Sequence, residues 1–401
     1  MQRTYKFRLY PSKAQEKELC SHLWISKELW NKLLDATIRK YDGEKKFPTK
    51  SEFQVMVKDS GLYSQTAQGI AHRLYRAVRA KVKAKKEGKK WGFPRFKSFD
   101  RMKSLYYPQN EIGFSLNKKL KVTPFGEINI KKHREIKGAI KTLTLKRESS
   151  GKWFAVFCAE QEPEQPKMNN GGRIGIDLGL MTFATLSNGE KIANPHHLKR
   201  HEERLAFFQR ELSKKKKGSC HRKKAKKEVA KLHEKIANTR LDFLHKTANR
   251  LLSAYSRIAM EKLASREMIM HGHGKGINDA SWGIFTNILA YKAENAGSKV
   301  VFVDPKNTSK ECSGCGQLVD KTLWDRQHDC PSCGLSIDRD INAAINILTR
   351  ATLRTTNRSQ DSREQRLTTT VGMTGSNACE DGAMVPSVKQ EAMTLPQGRS
   401  G

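Results

Sequence analysis

Three carboxylates in the second half of this 401-residue chain could hold divalent metal ions. Asp177 lies in an apolar run, Arg173–Gly179, Glu261 ends the run IAME, and Asp340 stands at the start of a final helical pattern. Charged side chains are rarely buried without a partner or a metal. Grouped carboxylates repel one another unless cations lie among them. Two such ions, roughly 3.5–4 Å apart, can activate a water and stabilise the leaving oxygen in phosphodiester cleavage.

Two nearby acids compete with this assignment. Asp338 is as plausible a helix N-cap as Asp340. Asp304 also ends an apolar run, but Pro305 follows it and favours a turn. We prefer Asp340 because it lies further into the helix, directly ahead of the residues Asn342, Ala343 and Ala344.

Four cysteines form a second site with a different chemistry. Cys312 and Cys315 are one CxxC pair, and Cys330 and Cys333 form another after fourteen intervening residues. A glycine follows each pair, which suits two tight knuckles around a tetrahedral structural zinc ion with Zn–S bonds of about 2.3 Å. A redox dithiol is the alternative, but two matched pairs argue against it. His328, between the pairs, is a weaker candidate ligand.

The charge of the chain points to a polyanionic partner. Lys and Arg total 76 against 41 Asp and Glu, which gives a net charge of +35. Nucleic acid is the usual partner of such a chain. A membrane surface is the weaker alternative, because the basic residues are spread along the chain and not confined to one amphipathic helix. With no signal-peptide pattern and cysteines in a metal arrangement, a cytoplasmic, nucleoid-associated location without membrane contact is expected.

The elements predicted around the carboxylates have the order β-β-β-α-β-α-β-α, which is that of RNase H-like nucleases. The predicted strands are Arg173–Gly179, Thr182–Leu186, Lys191–Ala193, Arg257–Glu261 and Lys299–Asp304, and the helices are His197 to about Ala254, Asp279–Ala296 and one from about Asp338. Upstream, residues 162–172 have the composition of a linker between domains.

The first half of the chain predicts an antiparallel sheet with helices inserted in it. Tyr5–Tyr10 alternates basic and apolar residues, Ser12 begins a capping box, and five short strands follow between about Glu111 and Glu160. The N-terminal strand could join that sheet. Apolar residues at helical spacing are the expected core of the first helix: Leu19, Leu23, Trp24, Trp30, Leu33, Leu34 and Ile38.

Basic residues of the inserted region are candidates for nucleic-acid contact. A helix at about Thr66–Lys86 has an apolar stripe and, on its other faces, cations of one sign. The segment Gly88–Tyr107 interleaves aromatic and basic side chains, which can stack on bases and neutralise phosphates. The individual candidates are Arg73, Arg76, Arg79, Lys83, Arg95 and Lys97. A solvated basic face is the simpler alternative.

Five motifs together resemble the TnpB (OrfB) family encoded by bacterial insertion sequences. They are GIDLG, the IAME strand, VDPKNTSKECSGCG, CPSCG and DRDINAAINI, and YKFRLYP and GFPRFKS extend the resemblance over roughly residues 1–350. The family is related to the type V CRISPR effector nucleases. Position by position, Asp177, Glu261 and Asp340 match its RuvC triad, and Cys312, Cys315, Cys330 and Cys333 match its zinc ligands.

The resemblance implies an α/β multidomain fold in which a zinc ribbon interrupts an RNase H-like (RuvC) domain. The implied ranges are a wedge-type β-barrel at 1–11 and 99–168, a helical recognition domain at 12–98, the RuvC-like domain at 169–305 and 336–352, and a target-nucleic-acid-binding zinc ribbon at 306–335. A disordered tail is expected at 353–401 from its composition.

The implied activity is that of an RNA-guided DNA endonuclease. Such a protein, with a monomer favoured, would bind a guide RNA from the transposon end and cut matching double-stranded DNA beside a short adjacent motif. It would use two Mg²⁺ ions for hydrolysis and one structural Zn²⁺. Abundant unpatterned cations fit a protein that holds a heteroduplex by phosphates and leaves sequence reading to base pairing. The alternatives are a non-catalytic zinc-ribbon regulator of transposition and a strand-transferring transposase.

Overall fold

The computed structural model describes residues 2–89, 91–162, 169, 171–263, 274–322 and 324–356, with side chains through residue 353. These residues form two units that divide between residues 163 and 164. Most of the predicted linker, and the predicted tail beyond residue 356, lie outside the described residues. The last helix extends to Thr356, so residues 353–356 are helical and not part of a tail.

The described residues of the first unit form seven strands and three α-helices. Its strands are β1 (Gln2–Tyr10), β2 (Ser104–Tyr107), β3 (Phe114–Leu116), β4 (Leu120–Val122), β5 (Gly126–Lys131), β6 (Ala139–Arg147) and β7 (Trp153–Glu160), and its helices are α1 (Lys13–Glu44), α2 (Lys50–Met56) and α3 (Ser64–Lys86). The strands pair in the order β2-β6-β7-β1-β5-β4-β3, with antiparallel neighbours throughout. The five predicted strands and the inclusion of the N-terminal strand are therefore confirmed.

The helices of this unit pack against the sheet. Ser12 and Gln15 form the predicted capping box of α1, and the Gln15 amide also donates to the carbonyls of Phe125, just before β5, and Glu127 of β5. Phe7 of β1 lies in the same buried cluster as residues of all three helices. Because helices and strands share one core, the boundary between barrel and recognition domain stays a prediction.

Two predictions for this unit were wrong. Trp24 was expected in the core, but it is 51% exposed, with the Lys27 ammonium 3.9 Å from its ring centroid. The segment Gly88–Tyr107 was interpreted as a binding loop, but its end is strand β2, where Tyr106 and Tyr107 are buried. Alternation could not reveal this short strand, because three of its four residues are buried.

The second unit contains the three candidate carboxylates and the four cysteines. Its strands are β8 (Gly172–Asp177), β9 (Thr182–Leu186), β10 (Lys191–Ala193), β11 (Tyr255–Glu261), β12 (Lys299–Val303), β13 (Gln327–Asp329) and β14 (Ser336–Asp338), and its helices are α4 (Glu202–Ser213), α5 (Cys220–Ala254), α6 (Gly274–Ala280), α7 (Trp282–Ala296) and α8 (Arg339–Thr356). Five strands form one sheet in the order β10-β9-β8-β11-β12. The predicted order of elements is confirmed.

The sheet of the second unit is covered on both faces. β8, β11 and β12 are parallel, whereas β9 and β10 are antiparallel to their neighbours. Ile176 and Met260 pack in one core with residues of α5 and α7, whereas Ala259 packs with Ile347 of α8 in another. Side chains alternate along a strand, so α8 covers the opposite face from α5 and α7.

Two predicted helices are interrupted. The stretch from His197 to Ala254 has a break between α4 and α5, where the run of lysines ends at Gly218 with φ of +87°. The predicted helix Asp279–Ala296 is divided at Ser281, which has φ of +55°. No described helix has the length and apolar character needed to cross a membrane.

Candidate functional site

Asp177 and Glu261 lie side by side at the ends of neighbouring parallel strands. Ile176 of β8 pairs with Met260 of β11, so the two acids occupy the next register position. Adjacent strands are about 4.8 Å apart. By alternation, both side chains belong to the face that α8 covers. Asp340 is in the first turn of α8, so the three predicted carboxylates are at one edge of the sheet.

Helix α8 lies very close to β8 at Gly175. A Cβ atom built on this glycine would be 2.0 Å from the Ala344 carbonyl oxygen and 2.9 Å from the Leu348 Cβ. The absence of a side chain therefore sets the distance between the strand of Asp177 and the helix of Asp340.

The pKa of Asp177 reflects its acidic surroundings. Burial raises it, and the charges of Glu261 and Asp340 raise it further, to about 8, while Arg339 opposes the rise. Burial also raises the pKa of Glu261, against the hydrogen bond that it accepts from Thr308 Oγ1. Such raised values are expected where carboxylates converge without a cation.

The three carboxylates are more widely spaced than the cysteine sulfurs. Among the described residues, only the four cysteines bring three or more candidate ligand atoms within 4.8 Å of one another. The acidic group does not meet that limit. Hard cations take oxygen ligands, and the donor set of Asp177, Glu261 and Asp340 suits Mg²⁺.

The competing acids have structural roles. Asp338 Oδ1 accepts hydrogen bonds from the backbone N–H groups of Asp340 and Ile341, at 3.0 and 3.2 Å, and so caps α8. Its other oxygen is 2.6 Å from the Lys191 ammonium. Asp304 accepts from the N–H of Lys306 at 3.0 Å, which is the turn that was predicted.

The four cysteine sulfurs form a compact group suited to zinc. They lie within 4.8 Å of one another, with Cys312 to Cys333 at 3.6 Å and Cys315 to Cys330 at 3.5 Å. A tetrahedral ion with Zn–S bonds of about 2.3 Å places its sulfurs about 3.8 Å apart. Although burial raises it, hydrogen bonds from backbone N–H groups lower the pKa of Cys330 to about 6. Although backbone N–H groups oppose the change, hydrogen bonds among the sulfurs raise the pKa of Cys315 and Cys333, so binding of a metal here would release protons from these thiols.

The two knuckles have matching backbone geometry. Gly316 and Gly334 have φ of +78° and +72°, and each donates its N–H to the carbonyl of the first cysteine of its pair, at 2.9 Å. A side chain would be strained at either position. His328 is fully buried beside the knuckles on β13, and it does not belong to the sulfur group.

One face of α8 holds the loop that joins β12 to the first knuckle. Asn342, Asn346 and Arg350 follow one another at four-residue spacing. Asn342 bonds to the Ser313 N–H and the Glu311 carbonyl, and Asn346 bonds to the carbonyls of Thr308 and Glu311. Arg350 donates to the carbonyls of Asp304 and Lys306. The helix of Asp340 therefore also positions Thr308 against Glu261.

Sequence reasoning missed this group of polar residues. The four-residue spacing of Asn342, Asn346 and Arg350 is visible in the sequence, and it signals a polar face on a helix. Nothing local indicates which loop lies against that face. Thr308 could not be identified because its partner, Glu261, is 47 residues away.

The candidate nucleic-acid contacts lie in the first unit and differ in exposure. Arg76, Arg79 and Lys83 are exposed on α3, whereas Arg73 is half-buried. Arg95 is exposed, and its carbonyl accepts from the Trp30 indole at 3.1 Å. The Lys97 ammonium is 3.5 Å from the Trp30 ring centroid, and its backbone bonds to Asn31.

The second unit is thus an α/β layer structure with an acidic cluster at one sheet edge and a four-cysteine site beside it. A family model described as "Probable transposase" (OrfB_IS605) matches residues 156–270, and one described as "Cas12f1-like, TNB domain" matches residues 282–347. A third, described as "Helix-turn-helix domain", matches residues 1–46. Of that range, the described residues form one strand, β1, and one long helix, α1.

Similar proteins agree with these matches. A "Putative RNA-guided DNA endonuclease" of Streptomyces pristinaespiralis is 32% identical over 87% of this chain and 89% of its own length. A "Putative RNA-guided DNA endonuclease InsQ" of Escherichia coli (strain K12) is 27% identical over 86% of this chain and 91% of its own length. The chain belongs to the TnpB (OrfB) family.

The fold also resembles that of a protein in a solved complex with nucleic acid. The protein of a cryo-EM structure of a Cas12f1-sgRNA-target DNA complex matches with a TM-score of 0.53 at 15% sequence identity. The match covers 86% of this chain and 98% of that one. The two proteins therefore share a fold.

Proposed function

We propose that this protein is an RNA-guided DNA endonuclease. It would bind a guide RNA derived from the transposon end and cut matching double-stranded DNA beside a short adjacent motif. The observation that supports this best is that Asp177, Glu261 and Asp340 lie at the same edge of the sheet. Each residue belongs to a different element, namely β8, β11 and α8. The names of the family's relatives and the net charge of +35 agree with it.

In the proposed site, Asp177, Glu261 and Asp340 would hold Mg²⁺ in a RuvC-like domain. When bound, the ions supply activation of water and stabilisation of the leaving oxygen. The residues of the chain keep the carboxylates in place: Asp338 caps the helix of Asp340, and Thr308 orients the Glu261 carboxyl group. The four cysteines would hold one structural Zn²⁺, which fixes the ribbon and leaves no open position for catalysis.

The decisive experiment is cleavage of matched double-stranded DNA by protein purified with its native RNA. Asp177→Ala should abolish cleavage in Mg²⁺ and leave RNA binding intact. Asp242→Ala is a matched control, because Asp242 is an exposed acid of the same unit that pairs with Lys246. Cleavage by Asp177→Ala at the parent rate would refute the catalytic assignment.

The same experiment distinguishes the alternative functions. A protein that binds RNA and DNA, but does not cut DNA whichever divalent metal is added, would be a regulator of transposition. Strand-transfer products formed without a guide would indicate a transposase. Absorbance at 260 and 280 nm, before and after RNase treatment, tests whether the protein is purified with RNA.

A further inference from the structure

A cleft of about 360 Å³ lies in the second unit, beside the candidate carboxylates. One wall is the loop after β12, and the other is formed by the segment around Lys321 together with Arg339. The lining residues that matter here are polar or basic: Asn307, Thr308, Lys310, Lys321, Thr322 and Arg339.

Two of these residues connect the cleft to the carboxylates. The Thr308 hydroxyl donates a hydrogen bond to the Glu261 carboxylate. Arg339 is near enough to Asp177 for its charge to oppose the rise in that pKa, and it directly precedes Asp340 in the chain. Two residues that line the cleft therefore also interact with the carboxylates of the proposed cleavage site.

The cleft is positively charged. Among the described residues that line it there are three cations and no acidic side chain. Arg339 is held in place by hydrogen bonds from its Nη1 to the carbonyls of Thr322 and Asp325, at 3.1 and 3.3 Å. Burial lowers the pKa of Lys321, and the charge of Arg339 adds to this effect, while the charges of Asp329 and Asp325 oppose it. Lys321 and Arg339 therefore repel each other. An anion between them would remove that repulsion.

The lysines can exchange their present partners for such an anion. Lys310 is 3.2 Å from Asp320, whose side chain is fully exposed, and a pair of this kind contributes little stability. The Lys321 ammonium donates to the Gln327 carbonyl at 3.1 Å and has further donors. The side-chain amide of Asn307 adds a neutral donor of the kind found at phosphate sites.

We infer that this cleft binds a backbone phosphate of the DNA strand that the carboxylates cut, next to the bond that breaks. The inference rests on the proposed function, because it takes the carboxylates as the cutting site. A phosphate fits the three cations and the Asn307 amide, and the nearby carboxylates make the cut strand its source. The cleft thereby fixes the position of that strand relative to Asp177 and Glu261.

The inference is tested by combining protein variants with neutral DNA linkages. Single methylphosphonates are placed along the cut strand, and cleavage is measured with the protein and its RNA. In the parent, one position near the cut should slow cleavage about tenfold. Lys321→Ala should cut natural DNA about tenfold more slowly, and the same neutral linkage should then cause no further loss.

Lys231→Ala is the matched control. Its side chain is 48% exposed and pairs with Glu228, much as the 45% exposed Lys310 pairs with Asp320. The control should keep the parent's sensitivity to the neutral linkage, while Lys310→Ala and Lys321→Ala lose it. Equal sensitivity in the parent and in both cleft variants would overturn the inference.

A binding measurement separates this inference from the proposed function. Binding of single-stranded DNA in EDTA is measured against salt concentration, and each cleft variant should lower the slope of log affinity against log salt by about 0.7. If the parent cuts no DNA, the proposed function fails. An unchanged slope in the cleft variants would reject the cleft as a phosphate site. A loss of guide-RNA affinity with unchanged DNA binding would mean that the cleft contacts RNA.

Discussion

Replacing Gly175 with alanine adds one methyl group where β8 meets α8. That carbon would lie 2.0 Å from the Ala344 carbonyl oxygen, and side-chain carbons essentially never approach a heavy atom to less than 3.0 Å. Helix and strand must therefore separate by at least about 1 Å at this point. The neighbour is backbone, so no change of rotamer can relieve the contact.

The separation should affect stability and cleavage together. Overpacking of a core usually costs about 1–3 kcal/mol. Because Asp177 is on β8 and Asp340 is on α8, the same shift moves two metal-binding carboxylates apart. A misplacement of about 1 Å at a catalytic centre can reduce the rate about 100-fold. We expect a folded, metal-binding protein that is slightly less stable and much less active.

Denaturant unfolding and single-turnover cleavage of matched DNA measure the two effects. Gly283→Ala is the control, because a Cβ at this exposed position of α7 has no neighbour within 4 Å. It should leave cleavage unchanged and stability equal or up to about 1 kcal/mol higher. A Gly175→Ala protein with parental stability and parental cleavage would refute the idea that this contact sets the distance between the carboxylates.

Three further predictions concern metals and protons. Cys330→Ser should reduce the bound zinc, measured by mass spectrometry, and lower the melting temperature, because zinc binding contributes folding free energy. Without metal, folded Asp177 keeps a proton between about pH 4 and about pH 8, whereas the unfolded chain does not. Stability should therefore fall as the pH rises through that window, and Asp177→Asn should flatten the dependence of the melting temperature on pH. Thr308→Val removes a hydrogen bond that lowers the pKa of Glu261, so the acidic limb of the pH–rate profile should move to higher pH.

Each of these predictions has a contrary outcome. A Cys330→Ser protein with parental zinc content would reject the four-sulfur site. A melting temperature that rises with pH in EDTA would reject the protonated state of Asp177. An unmoved pH–rate profile in Thr308→Val would show that this hydroxyl does not act on Glu261.

Much of the second unit could be predicted because its signals are local. The cysteine spacing specifies two knuckles, and the apolar runs that end at Asp177 and Glu261 specify two buried strands. The order of elements then brings the strand ends together. Asp340 was separable from Asp338 only by its place in the helix, and the structure gives Asp338 the capping role.

The failures concern contacts between distant parts of the chain. Trp24 fits the apolar stripe of α1, but it lies at the edge of that stripe, where Phe99 and Lys27 cover it incompletely. The lysine-rich stretch before Gly218 has good helix formers throughout, so only the glycine signalled the break. The hydrogen bond from Thr308 to Glu261 depends on tertiary placement, which no local pattern records.

The polar face of α8 has a consequence for recombination between relatives. The loop from Asp304 to Ser313 has its backbone groups satisfied by Asn342, Asn346 and Arg350, so the two segments form a matched pair. The segment beyond the first knuckle bonds to α8 through a different side chain, since Arg339 donates to the carbonyls of Thr322 and Asp325. A chimaera that takes a foreign segment there should therefore keep the loop and α8 from a single parent, and a crossover between them would leave buried amides without their carbonyls.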